Sequence, residues 1–398
     1  MNRKIKVLFI TRWYPNRYDP MPGLFIQRLA EALTPWCDLA VVCVFPDTEC
    51  SQKNEVEFKI ENEVRVLRVY FRKKSGETRT LQTFFDLVRY YRLFLKAVKS
   101  INAFQPDLIH GHIMTRAGFV TWKLSRRMKI PFVISEHWSR YYPKNNSYHG
   151  WLRKYFTRLI IGKAAAVISV SEPLMDAMKK HRLLNPNYRL LPNIVDTTCF
   201  RPGAPPVRVS PKTVIHISCF DDRSKNISGF LEGVKKVRER RQDFRCLVVG
   251  DGPDRICLKD FSESLNLREP DVVFTGLLTG EDLASVLRNS DLSVVTSHYE
   301  TFGTVVIESL ASGVPVLSTR VGIACDVITE ENGLLVDTSD PEAFADALDG
   351  MLDRCRSFDK EKVAASVGRR FTPEVVGNML VEIYQGLIDY NPSTSNPL

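Results

Sequence analysis

What most constrains this chain is a pattern that occurs twice. Apolar runs of strand length alternate with amphipathic stretches of helix length, first from Lys6 to Val170 and again from Thr213. In the first stretch, strands are predicted at Lys6–Thr11, Leu39–Phe45, Asp107–His112, Pro131–Glu136 and Ala166–Val170. Helices are predicted at Leu24–Leu33, Arg116–Arg127 and Trp151–Lys163, a hairpin over Glu55–Phe71, and a long amphipathic segment over Leu81–Phe104. The run Phe200–Pro206 is rich in Pro and Gly and reads as a linker. Beyond it, strands at Thr213–Ser218, Phe244–Val249, Val272–Phe274, Leu292–Val295, Val314–Ser318 and Leu334–Val336 alternate with helices. These begin at Ile227, Asp254, Glu281, Thr304 and Pro341. Such alternation predicts parallel sheets covered by helices, an α/β chain of two doubly wound domains. The expected divisions are 1–203, 204–370 and a final segment 371–398, whose helix Pro373–Ile388 crosses back to the first domain. Ligands of open parallel sheets bind past the carboxyl ends of the strands. Two such domains facing across a cleft put the chemistry there.

Charge divides the halves. Residues 1–203 carry 34 Lys+Arg against 16 Asp+Glu, and residues 204–398 carry 21 against 30. The first half therefore faces something anionic: nucleic acid, an acidic membrane or a phosphorylated ligand. Solvated helix faces are the plainer explanation. The apolar run Val7–Ile10 is too short for a signal peptide. Nine cysteines without a CxxC pair argue for a reducing cytoplasm and against a disulfide scaffold or zinc site.

The strongest local signal runs from His298 to Val316. Glu300 falls in the turn after a strand and Glu308 about two turns into the helix that follows. Thr301, Phe302, Gly303 and Thr304 present backbone N–H groups at that helix's start, where the donors and the helix dipole favour a phosphate. Gly303 permits close approach. One carboxylate can bond sugar hydroxyls and the other a ribose diol. A lone glutamate pair of this kind is more often solvated surface.

The stretch resembles the glutamate–seven–glutamate motif of family 4 glycosyltransferases, retaining enzymes of the GT-B fold that use nucleotide sugars. Other segments are similar in order: Val249-Gly250-Asp251-Gly252-Pro253, Val273-Phe274-Thr275-Gly276, Leu191-Pro192-Asn193-Ile194-Val195-Asp196, Gly313-Val314-Pro315-Val316 and Gly333-Leu334-Leu335-Val336. The resemblance implies two Rossmann-like domains of GT-B type. In it, Glu300 meets the transferred sugar, Glu308 the ribose, and the turns at Gly250 and Gly276 serve the nucleotide. Lys225 matches the lysine that neutralises the leaving diphosphate. The arginine usual beside it is absent, Cys219 or Phe220 standing in its place, and Arg223 is the candidate substitute. In the first domain Gly23 resembles the glycine of a diphosphate-facing loop, and His137 a histidine near the transferred sugar that can steady developing charge. His110 and His112, two apart on one strand face, read as structural, with acceptor contact second.

No carboxylate stands out as a nucleophile, which favours front-face substitution with the leaving phosphate helping to deprotonate the acceptor. Asp221-Asp222 is not an Asp-x-Asp motif, so no metal and no other cofactor are expected. The expected partners are a nucleotide sugar and a glycan or phosphorylated lipid-linked acceptor of cell-surface polysaccharide synthesis. No nucleic acid is expected. Basic amphipathic segments at Leu81–Phe104 and Trp151–Lys163 suit an anionic surface such as the cytoplasmic face of the inner membrane, or simple packing on the sheet. The alternatives are an epimerase or sugar-phosphate synthase of the same fold, or a non-catalytic nucleic-acid-binding protein, which leaves the glutamates unexplained. A dinucleotide oxidoreductase would need GxGxxG where Thr11–Asn16 stands.

Overall fold

The computed structural model describes residues 3–50, 52–72, 80–101, 104–114, 116–203, 211–337 and 341–389. The expected linker residues Ala204–Pro206 lie outside them, as do the side chains of Phe84, Phe85 and Leu87.

The chain forms two compact units. The first comprises the chain up to Tyr141, Asn146–Ile194 and the chain from Pro373; the second comprises Tyr142–Asn145 and Val195–Thr372. The boundary expected at 203/204 therefore falls earlier. Residues 195–203 pack with the second unit: the Val195 N–H donates to the Phe371 carbonyl (3.0 Å) and Arg288 to the Cys199 carbonyl (2.9 Å).

In the first unit the elements are β1 (Ile5–Thr11), α1 (Leu24–Leu33), β2 (Cys37–Asp47), β3 (Asn54–Glu61), β4 (Val64–Arg72), α2 (Thr80–Ser100) and β5 (Leu108–His112). Then come α3 (Arg116–Met128), β6 (Phe132–Glu136), α4 (Trp151–Lys163), β7 (Ala166–Ser169), α5 (Glu172–Lys180) and β8 (Tyr188–Leu190). The strand order is β3-β4-β2-β1-β5-β6-β7-β8. Only β3 runs antiparallel, against β4. Their tight turn places Asn62 and Glu63 at positive φ (46° and 66°), the twist that joins two strands directly. The near-continuous apolar runs of β1 and β2 suit strands buried on both faces; β5 is as buried, but carries His110 and His112. Sequence pattern alone missed α5 and β8; α5 follows a Ser171 cap whose hydroxyl accepts from the Leu174 N–H.

The second unit runs β9 (Lys212–Ile217), α6 (Asp222–Lys225), α7 (Ile227–Arg240), β10 (Phe244–Val249), α8 (Arg255–Ser264), β11 (Val272–Gly276), α9 (Gly280–Arg288) and β12 (Leu292–Val295). It continues α10 (Thr304–Ala311), β13 (Val316–Thr319), α11 (Ala324–Val327), β14 (Gly333–Val336), α12 (Pro341–Arg354) and α13 (Lys360–Val367). Its all-parallel sheet has the order β11-β10-β9-β12-β13-β14. The order reverses at β9/β12, the switch point where open sheets of this kind bind ligands. The last helix, α14 (Pro373–Asp389), belongs to the first unit, where Val376, Leu380, Val381 and Tyr384 pack with Val7, Phe9 and Leu29.

Candidate functional site

In the second unit the turns at the ends of β9, β10 and β11 lock together through glycines. A Cβ on Gly250 (φ 142°) would lie 1.9 Å from the Ser218 carbonyl oxygen, and one on Gly252 2.7 Å from the Phe220 backbone. The Gly250 N–H donates to the Gly276 carbonyl (2.9 Å), and Gly276 itself takes φ 79° in open space. So the turns predicted to serve the nucleotide are built by backbone contact, with few side chains in the way.

The short helix α6 carries both predicted cations. Lys225 Nζ donates to Glu300 Oε1 at 2.5 Å, and Ser297 Oγ donates to the same oxygen at 2.8 Å. Both bonds fall on Oε1. Both side chains are largely withdrawn from water, at 17% and 16% exposure. Burial opposes the lysine's charge, but Glu300 more than offsets it and holds its pKa above the ordinary value. The lysine's loop is pinned from behind: Thr296 Oγ1 donates to the carbonyls of Lys225 (3.1 Å) and Asn226 (3.0 Å). With its hydrogen so engaged, Thr296 accepts from His216 Nε2 (3.2 Å). Burial, then the nearby Lys225, lowers His216 to about 4, so the ring is neutral. Arg223 is exposed and donates to the Asn145 carbonyl (2.8 Å). Asp222 does not point at a ligand: it accepts from the Ser228 N–H (2.8 Å) and hydroxyl (2.7 Å) and so caps α7.

Gly303 (φ 89°) is the N-cap of α10, a conformation that favours glycine. Thr301 and Thr304 are half-buried beside it, and Glu308 on the same helix is buried. Phe302 is a core residue, 1% exposed and edge-on to Phe371; its contribution to a ligand is confined to its backbone. Sequence reasoning missed Gly322. Its Cβ would lie 2.2 Å from the Phe302 carbonyl oxygen, and the neighbouring Ile323 N–H donates to that oxygen (2.7 Å). A glycine just after a predicted strand was the available signal. Ser297 was missed too.

The first unit builds its strand ends differently. Gly23 (φ 76°) starts α1, and its Cβ would lie 2.2 Å from the Trp13 carbonyl oxygen, so the loop beyond β1 closes on it. His137 follows β6. Its two ring nitrogens are buried without hydrogen-bond partners, the ring lies 4.4 Å from Phe25, and burial lowers its pKa to about 3. Beside it His112 and His110 stack with centroids 4.1 Å apart. His110 is satisfied by Tyr384 (2.5 Å) and Ser135 (2.7 Å), the structural role expected. His112 is fully buried and neither nitrogen has a partner. Glu136, also unforeseen, is fully buried and accepts from the N–H groups of Met114, His137 and Trp138 and from the Tyr141 hydroxyl, at 2.9–3.1 Å. Burial outweighs those bonds and raises its pKa.

Two Rossmann-like units, each with its candidate residues at the carboxyl ends of parallel strands, define the GT-B class of transferase fold. Solved structures agree. A sucrose-phosphate synthase from Thermosynechococcus elongatus aligns with TM-score 0.76 at 22% identity, over 97% of this chain and 100% of that one. Anabaena HepE in complex with UDP and glucose aligns with TM-score 0.72 at 16% identity, over 96% and 100%. At such identities the likeness shows the fold. The family follows from sequence: residues 23–198 match the model for Glycosyltransferase Family 4, and residues 204–369 that for Glycosyl transferases group 1. Similar chains include the putative teichuronic acid biosynthesis glycosyltransferase TuaC of Bacillus subtilis, 26% identical over 86% of this chain and 88% of that one. A GDP-mannose-dependent alpha-mannosyltransferase of Corynebacterium glutamicum is 27% identical over 74% and 71%. The chain is a glycosyltransferase of the GT-B type.

Proposed function

We propose that the enzyme moves a sugar, with retention at the anomeric carbon, from a nucleoside-diphosphate sugar to a glycan or phosphorylated lipid-linked acceptor in cell-surface polysaccharide or glycolipid synthesis. The observation that carries the reading is the Lys225–Glu300 pair, joined from positions 75 residues apart beside the Gly303-capped start of α10, the helix that carries Glu308. Lys225 and the first-turn amides of α10 stabilise the departing diphosphate, Arg223 adds a second cation, and Glu308 holds the ribose. Glu300 turns from Lys225 to the sugar hydroxyls as the phosphates take over the lysine. The turns at Gly250 and Gly276 admit the nucleotide. From the first unit, Gly23 lends its loop backbone to the diphosphate. His137, neutral at physiological pH, donates a hydrogen bond to the sugar.

The step is a front-face substitution. The C1–oxygen bond to the diphosphate breaks, the acceptor oxygen bonds C1 on the same face, and the acceptor proton passes to the departing phosphate oxygen. Positioning and charge stabilisation supply the rate, and no metal is required. Donor names among the relatives, such as GDP-mannose, and the UDP bound to a structural neighbour mark the nucleotides to try first.

The test is thermal stabilisation against a panel of nucleotides and nucleotide sugars in EDTA. A ligand at about 100 times its Kd adds about 2.7 kcal/mol. One diphosphate nucleotide should raise Tm, and Glu308→Ala should abolish the rise. No rise with any nucleotide, or one that needs a divalent ion, would refute the donor site or its metal independence respectively.

A further inference from the structure

Among the described residues no helix is long and apolar enough to cross a membrane. The two basic amphipathic segments of the first unit nonetheless differ. In α2 Tyr90, Leu93, Phe94 and Ala97 are buried, and none of the other described apolar residues is exposed. In α4 they do not. Thr157, Ile160 and Ile161 pack inward, while Trp151 (76% exposed), Leu152 (52%), Tyr155 (58%) and Phe156 (39%) form the opposite face. Their spacing of one, four and five residues places them together on one side of a helix. A contiguous exposed apolar face of this kind marks an interaction site.

What surrounds that face decides its partner. The helices α3 and α4 together carry eight Lys or Arg and no Asp or Glu. Phe119 of α3 meets Phe156 edge-on at 6.1 Å and Trp122 at 5.9 Å, so the aromatic surface continues onto α3. Lys123 and Arg126 lie over the Trp122 ring, at 5.2 and 5.7 Å. Between the helices a recess is lined by Trp122, Arg126, Phe132 and Lys163, two cations among apolar walls. A second copy of this chain would bring its own eight cations against these, which repel. Insertable aromatic side chains rimmed by cations suit the boundary of an anionic bilayer, where apolar rings sink to the headgroup level and Lys and Arg stay at the phosphates.

We propose that the outward face of α4, with the adjoining basic surface of α3, docks the enzyme on an anionic lipid surface. Trp151, Leu152, Tyr155 and Phe156 insert, and Arg126 and Lys163 receive a lipid phosphate. The inference rests on the glycosyl-transfer reading for its purpose, since docking brings the enzyme to a lipid-linked acceptor. Lipid binding itself can be measured without it.

The test is co-sedimentation of the full chain with vesicles of phosphatidylcholine containing about one third phosphatidylglycerol, and with phosphatidylcholine alone. Wild type should pellet with the anionic vesicles only, and binding should fall steeply with salt. Trp151→Ala with Tyr155→Ala should lower the partition coefficient at least about tenfold. Arg126→Glu with Lys163→Glu should abolish it. The nucleotide-induced Tm shift should remain in both variants, which shows that they fold. No vesicle binding by wild type with the nucleotide shift intact would overturn docking and leave the transferase reading standing. Vesicle binding without any nucleotide shift would do the reverse. Binding indifferent to the variants, or a solution dimer by light scattering that the variants dissolve, would also overturn the proposal.

Discussion

Beyond β6 the first unit buries a carboxylate, Glu136, among neutral N–H and O–H donors, and sets unpartnered neutral imidazoles beside it. Beyond β9 and β12 the second unit instead holds a lysine and a glutamate as an ion pair behind an open glycine turn. The same topology thus ends in two chemistries. A carboxylate held by fixed N–H and O–H donors, with the buried Arg140 guanidinium nearby, fixes geometry. An ion pair at the mouth of a glycine-lined turn is held in reserve, since an incoming phosphate can replace the carboxylate as the lysine's partner. The second unit is built to exchange charge with a ligand, and the first to hold a shape.

The largest test of that contrast is at the ion pair. Lys225→Ala should lower kcat/KM by about 100- to 1,000-fold, the usual cost of one preorganised charge-stabilising donor, with little change in acceptor KM. Arg223 is exposed and donates to a backbone carbonyl, so Arg223→Ala should cost less. Near-equal losses would mean that Arg223 shares the diphosphate equally with Lys225.

Next come the two helix-start glycines, which separate steric need from conformational need. At Gly23 a methyl meets the Trp13 carbonyl at 2.2 Å; at Gly303 nothing lies nearer than 3.8 Å, and only the positive φ objects. Urea denaturation should show about 3 kcal/mol lost in Gly23→Ala and about 1 kcal/mol in Gly303→Ala. Equal costs would mean that the loop beyond β1 yields as easily as the one at α10.

The smallest effect is spread over pH. Burial lowers His137 to about 3 and His110 and His112 well below the usual value, against about 6.5 unfolded. Below that value the unfolded chain binds protons that the folded chain refuses. Stability from these rings is thus complete above about pH 6.5 and falls on acidification. Glu136, whose pKa is raised, acts in the opposite sense above about 4.3, while His216, lowered to about 4, adds to the histidine side. Calorimetric Tm should therefore drop between pH 7 and 5, and proton NMR of the three rings should show no titration there. A ring that titrates near 6.5 would show that the network is wetter than its burial indicates.

Much of this was legible in the sequence, and unevenly. The strand–helix alternation, the hairpin and the glutamates at 300 and 308 are local patterns, and each appears at its expected place. Glu136 and the closure of Gly322 on the Phe302 carbonyl were not legible, because each rests on a contact made about 20 residues away along the chain; Ser297 lies only three residues before Glu300, but nothing in the pattern says that its hydroxyl turns to that carboxylate. Asp222, which the sequence showed only as half of an adjacent aspartate pair, caps α7. The apolar faces of α2 and α4 were equally amphipathic on paper, and only the neighbours that cover one of them tell the two apart.

The return of α14 into the first unit has a consequence during biosynthesis. A nascent chain emerges at about 5–20 residues per second, and the ribosome must make the whole of Val195–Thr372 before Leu380 and Tyr384 arrive to cover Val7, Phe9 and His110. Until then the amino-terminal unit waits with its apolar flank open, while the inserted unit has everything it needs to fold. A message cut short after Thr372 would release a chain with one finished half and one unfinished half, a natural client for chaperones and proteases.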